Sequence, residues 1–436
     1  MKKVLRALLW VLLAAVIGGC IYLNTLMPII TGYAAKNLAS AVFISGREQA
    51  DVEALDLNFS FIKYCSNKVD FTSRTVKSRF LWASSTAVFR KGYGVTLLRG
   101  KASELRDWPL EASAPIPERL EQADSAIRAS LEPIAKAFVE DQAYGGIPFS
   151  LVVLKDGKIA AERYREGFSA DTKLLSWSMG KSFTQALAGI MAGDGMVDID
   201  APLGLPEWQD DARNSITLNH LFRMQSGLEW NEDYGNRSDV NLMLHREKDM
   251  GLYAVEKPLV NEPGTVWYYS SGSTNIAMRY LRSRFSSDEE FLRYIRERLM
   301  EPLGISDYYF EPDMSGTPVG SSYLYVTTRD YARFGQMFLE DGCVPGKRIL
   351  PEGWVEYTTT PTPGSDGRYG SGFWINSSLR LPDVPADCFS CQGHDGQEIL
   401  IIPSEGIVVA FNGFTHGVDR FPIFNALLRD IIAALK

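Results

Sequence analysis

The sequence predicts an α+β fold. One antiparallel β-sheet is flanked by helices and interrupted by a largely helical insert, and a membrane helix precedes it at the N-terminus. Three observations predict it. Residues 150–154 and 159–164 alternate in polarity around the turn Asp156-Gly157-Lys158, which is a hairpin signal. Strand-like runs return far downstream, at 370–375, 398–402 and 406–411, with helical spacing across roughly 178–345 between the two groups. A basic start, Met1-Lys2-Lys3 with Arg6, leads into an apolar run over 7–23.

That run is broken only by Gly18, Gly19 and Cys20, and its length is near the ~20 residues that span a bilayer. Ile21, Tyr22 and Leu23 extend it where a cleavage site would need small and polar residues, so an uncleaved anchor fits best. A cleaved signal is the alternative, and Ile17-Gly18-Gly19-Cys20 also resembles a lipoprotein box. Basic residues on the leading side place the bulk of the chain outside the cytoplasm, in the periplasm or extracellular if the source is bacterial. Residues 1–27 are therefore read as the anchor or signal, 28–115 as a separate N-terminal segment and 116–436 as the main domain.

Within the N-terminal segment, residues 32–47 carry small and apolar side chains at helical spacing, whereas 51–61 and 90–98 read as extended. No catalytic constellation is visible there. Pro109, Pro115 and Pro117 crowd the junction at 108–118. Leu120, Ala123, Ile127, Leu131, Ile134, Ala137 and Phe138 then mark a helix over 118–141. After the C-terminal strands, an amphipathic helix is expected from about residue 421 to 435.

Composition narrows the chemistry. A net charge of −8 lacks the basic surplus that would neutralise phosphates, so no nucleic-acid partner is expected. Four histidines without an HExxH pattern, and a single C-x-x-C at Cys388 and Cys391, make a zinc centre a poor reading; no metal and no organic cofactor are expected. In an oxidising compartment the two cysteines form either a local disulfide or simply two small residues near a loop.

Three segments carry candidate chemistry. Ser178-Met179-Gly180-Lys181 opens an apolar helix through Phe183, Ala186, Leu187, Ile190 and Met191. Lys181 lies one turn after Ser178 on the same side. A serine hydroxyl needs a neighbouring base, and a desolvated lysine supplies a neutral amine. The tetrapeptide alone is weak: Ser60-Phe61-Ile62-Lys63 matches it too, but sits in extended sequence with no helix after it. The second segment is Pro263-Gly264-Thr265 leading to Tyr269-Ser270-Ser271, in which Tyr269, its pKa lowered beside a lysine cation, can act as a base. The third is Gly393-His394-Asp395-Gly396-Gln397, a glycine-flanked turn entering a strand, whose amides with the Ser178 N–H can form an oxyanion hole. Bland readings exist for each: a helix cap, two core aromatics, a plain hairpin turn.

In this order and spacing the chain resembles the serine β-lactamase and penicillin-binding-protein superfamily, in its class C-like branch, over roughly residues 135–435. Ser178-Met-Gly-Lys181 is similar to its first motif, Tyr269-Ser-Ser271 to its Tyr-x-Asn motif and His394-Asp-Gly396 to its Lys-Thr-Gly motif. The segments Ile216 to Leu221 and Met224 to Leu228 are similar to its helix-and-turn element. The resemblance implies the fold already described and an acyl-enzyme on Ser178, with Lys181 and Tyr269 moving protons. Ser271, His394, Gly396 and Gln397 would meet a small ester, amide or short-peptide substrate. Two departures, Ser271 for asparagine and His394 for lysine, weaken β-lactamase or D-alanyl-D-alanine carboxypeptidase activity. They point to the family VIII esterase and 6-aminohexanoate-dimer hydrolase members, in which a second tyrosine covers the substrate; Tyr234 lies in the matching interval.

Overall fold

The computed structural model describes residues 2–105 and 120–436. The proline-rich junction expected at 108–118 lies outside the described residues.

The first helix, α1 (Lys2–Phe43), runs unbroken through the boundary expected at 27/28. Its apolar first half is exposed, and from Met27 onward it is buried, with Ala34, Ala35, Leu38 and Ala39 wholly inaccessible. Small residues let other chain segments approach this half closely. The expected extended stretch at 51–61 begins instead as a short helix, α2 (Gln49–Leu55). The alternation of Leu55, Leu57, Phe59 and Phe61 that suggests a strand belongs partly to the irregular chain that follows. A four-stranded antiparallel sheet comes next, β1 (Ser66–Asp70), β2 (Thr75–Phe80), β3 (Ala83–Arg90) and β4 (Gly94–Leu97), in that spatial order. Only β4 falls in a stretch read as extended from the sequence.

This N-terminal segment shares one hydrophobic core with the main body, so it is not separate in packing: Ala34, Leu38, Val76 and Val95 belong to the same buried cluster as Trp177, Phe183 and Phe334. A buried ion pair between Lys36 and Glu311 ties them further. Glu311 also accepts from Ser40 Oγ at 2.9 Å and from the Val95 amide at 2.7 Å.

The main body opens with α3 (Ser125–Val139), which starts seven residues later than the periodicity suggests. Residues 120–123 instead run extended beside Ile159, whose carbonyl accepts from the Ala123 amide at 2.9 Å. The hairpin β5 (Pro148–Lys155) and β6 (Lys158–Tyr164) forms as expected. Asp156 and Gly157 both hold positive φ, as the tight turn requires. These strands join a six-stranded antiparallel sheet ordered Trp374–Ile375, Phe389–Gly393, Gln397–Ile402, Ile407–Gly413, β5, β6. The strand expected at 370–375 is only two residues long. Gly370 presses so closely on the Thr358 carbonyl that a Cβ there would lie 2.0 Å away, and Gly372 has φ +71°, so the chain bends before it can pair.

The sheet is covered on one face by α3 and the terminal helix Phe421–Ala434. The other face meets α4 (Gly180–Gly193) and the helix Thr328–Leu339, where Phe183 stacks on Phe334 at 3.7 Å. Strand β7 (Lys173–Leu175) joins Leu324–Thr327 and Tyr309–Phe310 in a third sheet, and the chain leads from β7 directly into the turn that carries Ser178. Cys388 and Cys391 are both free and buried. They serve opposite faces of the sheet, Cys388 in the cluster under the terminal helix and Cys391 in the other. An odd separation along extended chain sends the side chains apart, so no local disulfide closes.

Candidate active site

Ser178 occupies the single helical turn Trp177–Met179 immediately before α4. Trp177 has φ +44°, a left-handed conformation that costs a bulky residue energy and marks a turn held by its surroundings. The holders are identifiable. Ser176 donates its amide to Leu324 O at 2.8 Å, and its hydroxyl accepts from the Leu324 amide at 3.2 Å. Gly393 abuts the Ser176 carbonyl, where a Cβ would stand 2.4 Å away. The Trp177 ring stacks against Tyr33 of α1 and meets Tyr234 and His394 edge-on.

One turn on, Lys181 is 1% exposed. Its ammonium has three donors, and each finds an oxygen: Ser178 Oγ at 2.7 Å, Ser271 Oγ at 2.9 Å and the Ser321 carbonyl at 3.3 Å. Burial lowers the Lys181 pKa to about 8, while the Glu232 carboxylate opposes the fall. A substantial fraction of the amine is therefore neutral near physiological pH and able to accept the Ser178 proton.

Ser271, expected to face substrate, is fully buried and fills a different position. Its hydroxyl accepts from Lys181 and donates to Glu232 Oε1, and its amide donates to Glu232 Oε2 at 2.9 Å. Trp230 Nε1 donates to the same Oε2 at 2.5 Å. Glu232 escapes sequence reading because no motif contains it; the one pointer is its place two residues before Tyr234 in a segment already singled out.

Tyr269 lies with its ring 4.8 Å from Lys181 Nζ, tilted on Trp374 and edge-on to Tyr369. Burial and the Glu232 charge push its phenol above its usual pKa, which a hydrogen bond with Ser178 only partly offsets. This overturns the expectation of a phenol acidified by lysine. The shift runs upward, so Tyr269 rests protonated.

On the opposite wall, Tyr234 stacks on His394 with ring centroids 4.4 Å apart, and its hydroxyl is buried near Ser271. Burial lowers the His394 pKa against the raising effect of Asp395, so the imidazole is neutral at pH 7. Asp395 Oδ1 lies 3.4 Å from His394 Nε2 and 3.0 Å from His416 Nδ1, and that carboxylate raises the His416 pKa. The three side chains bring ligand atoms within 4.8 Å of one another, a spacing a divalent cation can bridge, although two polar contacts already converge on Oδ1.

Gln397 is buried at the start of its strand. Its Nε2 donates to Gly413 O at 2.6 Å and His394 O at 3.2 Å, and its Oε1 accepts from Asn412 Nδ2 at 3.1 Å and the Gly413 amide at 3.2 Å. The side chain is spent on joining two strands. Gly396, at φ +90°, takes a conformation glycine adopts without strain and abuts Thr415, where a Cβ would lie 3.1 Å from Oγ1. Ser178, Lys181, Tyr269 and Ser271 thus come together, and Tyr234 and His394 pack beside them through Trp177.

Comparison with known proteins gives this arrangement a lineage. A 6-aminohexanoate-dimer hydrolase of Paenarthrobacter ureafaciens is 28% identical over 224 residues, covering 48% of this chain and 56% of that protein. The chain spans about half the length of the curated relatives it matches. Among solved structures, EstCE1, described as a hydrolase with promiscuous acyltransferase activity, superposes with a TM-score of 0.58 at 13% identity, covering 71% of this chain and all of that one. A penicillin-binding protein homologue from Caulobacter crescentus gives 0.57 at 15% identity, covering 72% and 98%. These last two show the fold. The beta-lactamase family model matches residues 131–427, from within α3 to the middle of the terminal helix and across Ser178, Lys181, Tyr234, Tyr269, Ser271, His394 and Gln397, and the chain belongs to that family.

Proposed function

We propose that this protein is a serine hydrolase that cleaves a small ester or amide through an acyl-enzyme on Ser178. The observation that carries the reading is the 2.7 Å contact between Ser178 Oγ and a buried Lys181 amine whose pKa is about 8. Neutral Lys181 takes the Ser178 proton as Oγ attacks the substrate carbonyl carbon. The Ser178 and Gln397 backbone N–H groups hold the developing oxyanion. Tyr269, protonated at rest, gives its proton to the leaving alcohol or amine and regains one from Lys181. Water, deprotonated by Lys181, then releases the acid and restores Ser178.

Neutral His394 and the Tyr234 hydroxyl offer hydrogen bonds rather than a fixed cation for the substrate. This favours esters and amides without a carboxylate beside the scissile bond, in line with the 6-aminohexanoate-dimer hydrolase relative, over β-lactams or D-alanyl-D-alanine peptides. The exposed apolar half of α1 supports a membrane anchor, with the catalytic body in the periplasm of a bacterial inner membrane; a signal sequence passes the same test of length and hydropathy. A fluorophosphonate probe and a panel of p-nitrophenyl esters, short amides and nitrocefin test the activity. Parent protein should label and turn over at least one ester or amide, and Ser178→Ala should do neither. Equal labelling and turnover in both would sink the reading, and labelling without any turnover would mark a non-catalytic binding relative.

A further inference from the structure

We propose that the hairpin tip Leu81-Trp82, with Phe61 and Tyr64 beside it, is a second contact with the bilayer that α1 enters, seated among the lipid headgroups. The proposal rests on reading α1 as a membrane anchor. Three contacts fix β3 alongside α1 in the same direction. Trp82 Nε1 donates to Asn24 Oδ1 at 3.3 Å, Ser85 Oγ meets Thr31 Oγ1 at 2.7 Å, and Phe89 stacks on Phe43 at 5.7 Å. The tip therefore stands level with Asn24, the residue after the apolar run ends at Leu23.

At that level the molecule presents what an interface favours. Leu81, Trp82, Phe61 and Tyr64 are each more than half exposed, and Phe61 packs on Phe80 at 6.2 Å, which gathers the turn Ile62–Tyr64 to the same end of the sheet. Tryptophan and tyrosine settle at headgroup depth because their rings are apolar at one end and polar at the other. Lys63 and Arg79 are exposed beside them, Arg79 opposite Ser66 in the β1–β2 register, where they can meet lipid phosphates. Leu81 holds φ +50°, a strained conformation for leucine, to put its side chain at the outermost point of the turn. The tetrapeptide Ser60-Phe61-Ile62-Lys63, which copies the catalytic spacing without a helix behind it, thus belongs to this surface.

Two contacts prevent the body from swivelling on a single helix. Tyr33, nine residues beyond Asn24 on α1, stands about 14 Å farther along the helix axis and stacks on Trp177, so the nucleophile is held at a short fixed height above the headgroups. The test uses the full chain in phosphatidylethanolamine–phosphatidylglycerol vesicles, with Cys20, Cys65 and Cys343 replaced by alanine. An environment-sensitive fluorophore is placed in turn at Leu81→Cys, Phe61→Cys, Ile17→Cys and Leu379→Cys, the last an exposed loop residue far along the chain. Shallow spin-labelled lipid should quench the labels at 81 and 61 at least about twofold more than the label at 379, and deep spin-labelled lipid should quench that at 17. Quenching at 17 with 81 and 61 matching 379 overturns the second contact and leaves the anchor standing. No quenching at 17 overturns the anchor reading and the proposal with it.

Discussion

At the residue scale, the proposed mechanism makes Lys181 the group that sets the pH dependence. The amine is a base only when neutral, and its pKa of about 8 lies below the usual lysine value because burial penalises the charge. Activity should therefore rise with pH to a plateau above 8, and kcat/KM should fall about tenfold per unit below it. Lys181→Met should lower kcat by about 10²–10⁴-fold and abolish that limb. Glu232 opposes the shift, so Glu232→Gln, which keeps a hydrogen-bonding oxygen toward Ser271, should move the limb to lower pH, as a kcat/KM profile would register. An unmoved limb would mean that Glu232 only shapes the loop. Ser178, Lys181 and Tyr269 were legible in the sequence because a weak nucleophile, its base and an aromatic before small polar residues leave local patterns. Glu232 was not, because its contact is with Ser271, 39 residues away, and no spacing rule links a loop residue to the first residue of a distant helix. Ser271, read from the sequence as meeting substrate, hydrogen-bonds Lys181 and Glu232, because sequence identifies polar groups but not which of them the fold pairs with one another.

At the element scale, α4 presents Ser178 and Lys181 only because it can lie deep in the core. Every residue from Gly180 to Met191 is buried. Its glycines make that possible, since a Cβ on Gly189 would come within 2.4 Å of the Trp354 indole. Gly189→Ala should cost about 1–3 kcal/mol by overpacking, read as a lowered denaturation midpoint, despite alanine's better helix propensity. A gain in stability would show that Trp354 yields freely. Hairpin β5–β6 was legible from Asp156-Gly157 between alternating runs. The strands β1 to β3 were not: short, polar on their outer faces and rich in serine, threonine and lysine, they present too few apolar positions to stand out from loop. Trp374–Ile375 was overestimated for the opposite reason, because glycines inside an apolar run bend the chain away from pairing.

At the scale of the whole molecule, the N-terminal segment and the main body share one hydrophobic cluster that runs from Ile30 into the main body. Lys36 and Glu311 test this most directly, because they join the two parts by charge where both are sealed from water, with side-chain exposures of 2% and 0%. Removing one member of a buried pair strands the other's charge, at a typical cost of about 3–5 kcal/mol, whereas replacing both with apolar residues of similar size is often near neutral. Lys36→Met should therefore lower the thermal midpoint sharply, and Lys36→Met with Glu311→Leu should recover much of the loss. The Ser40 hydroxyl and Val95 amide, which lose their acceptor in the double variant, set the remainder. Because Tyr33 of the same helix braces the strained Trp177 turn, ester turnover should fall with Lys36→Met at temperatures below the midpoint and return in the double variant. A thermal melt of Lys36→Met indistinguishable from the parent's would instead mean that the N-terminal segment can loosen without cost to the catalytic body. Deletion of residues 1–115 should then yield a soluble, active domain, an outcome the shared core predicts will not occur.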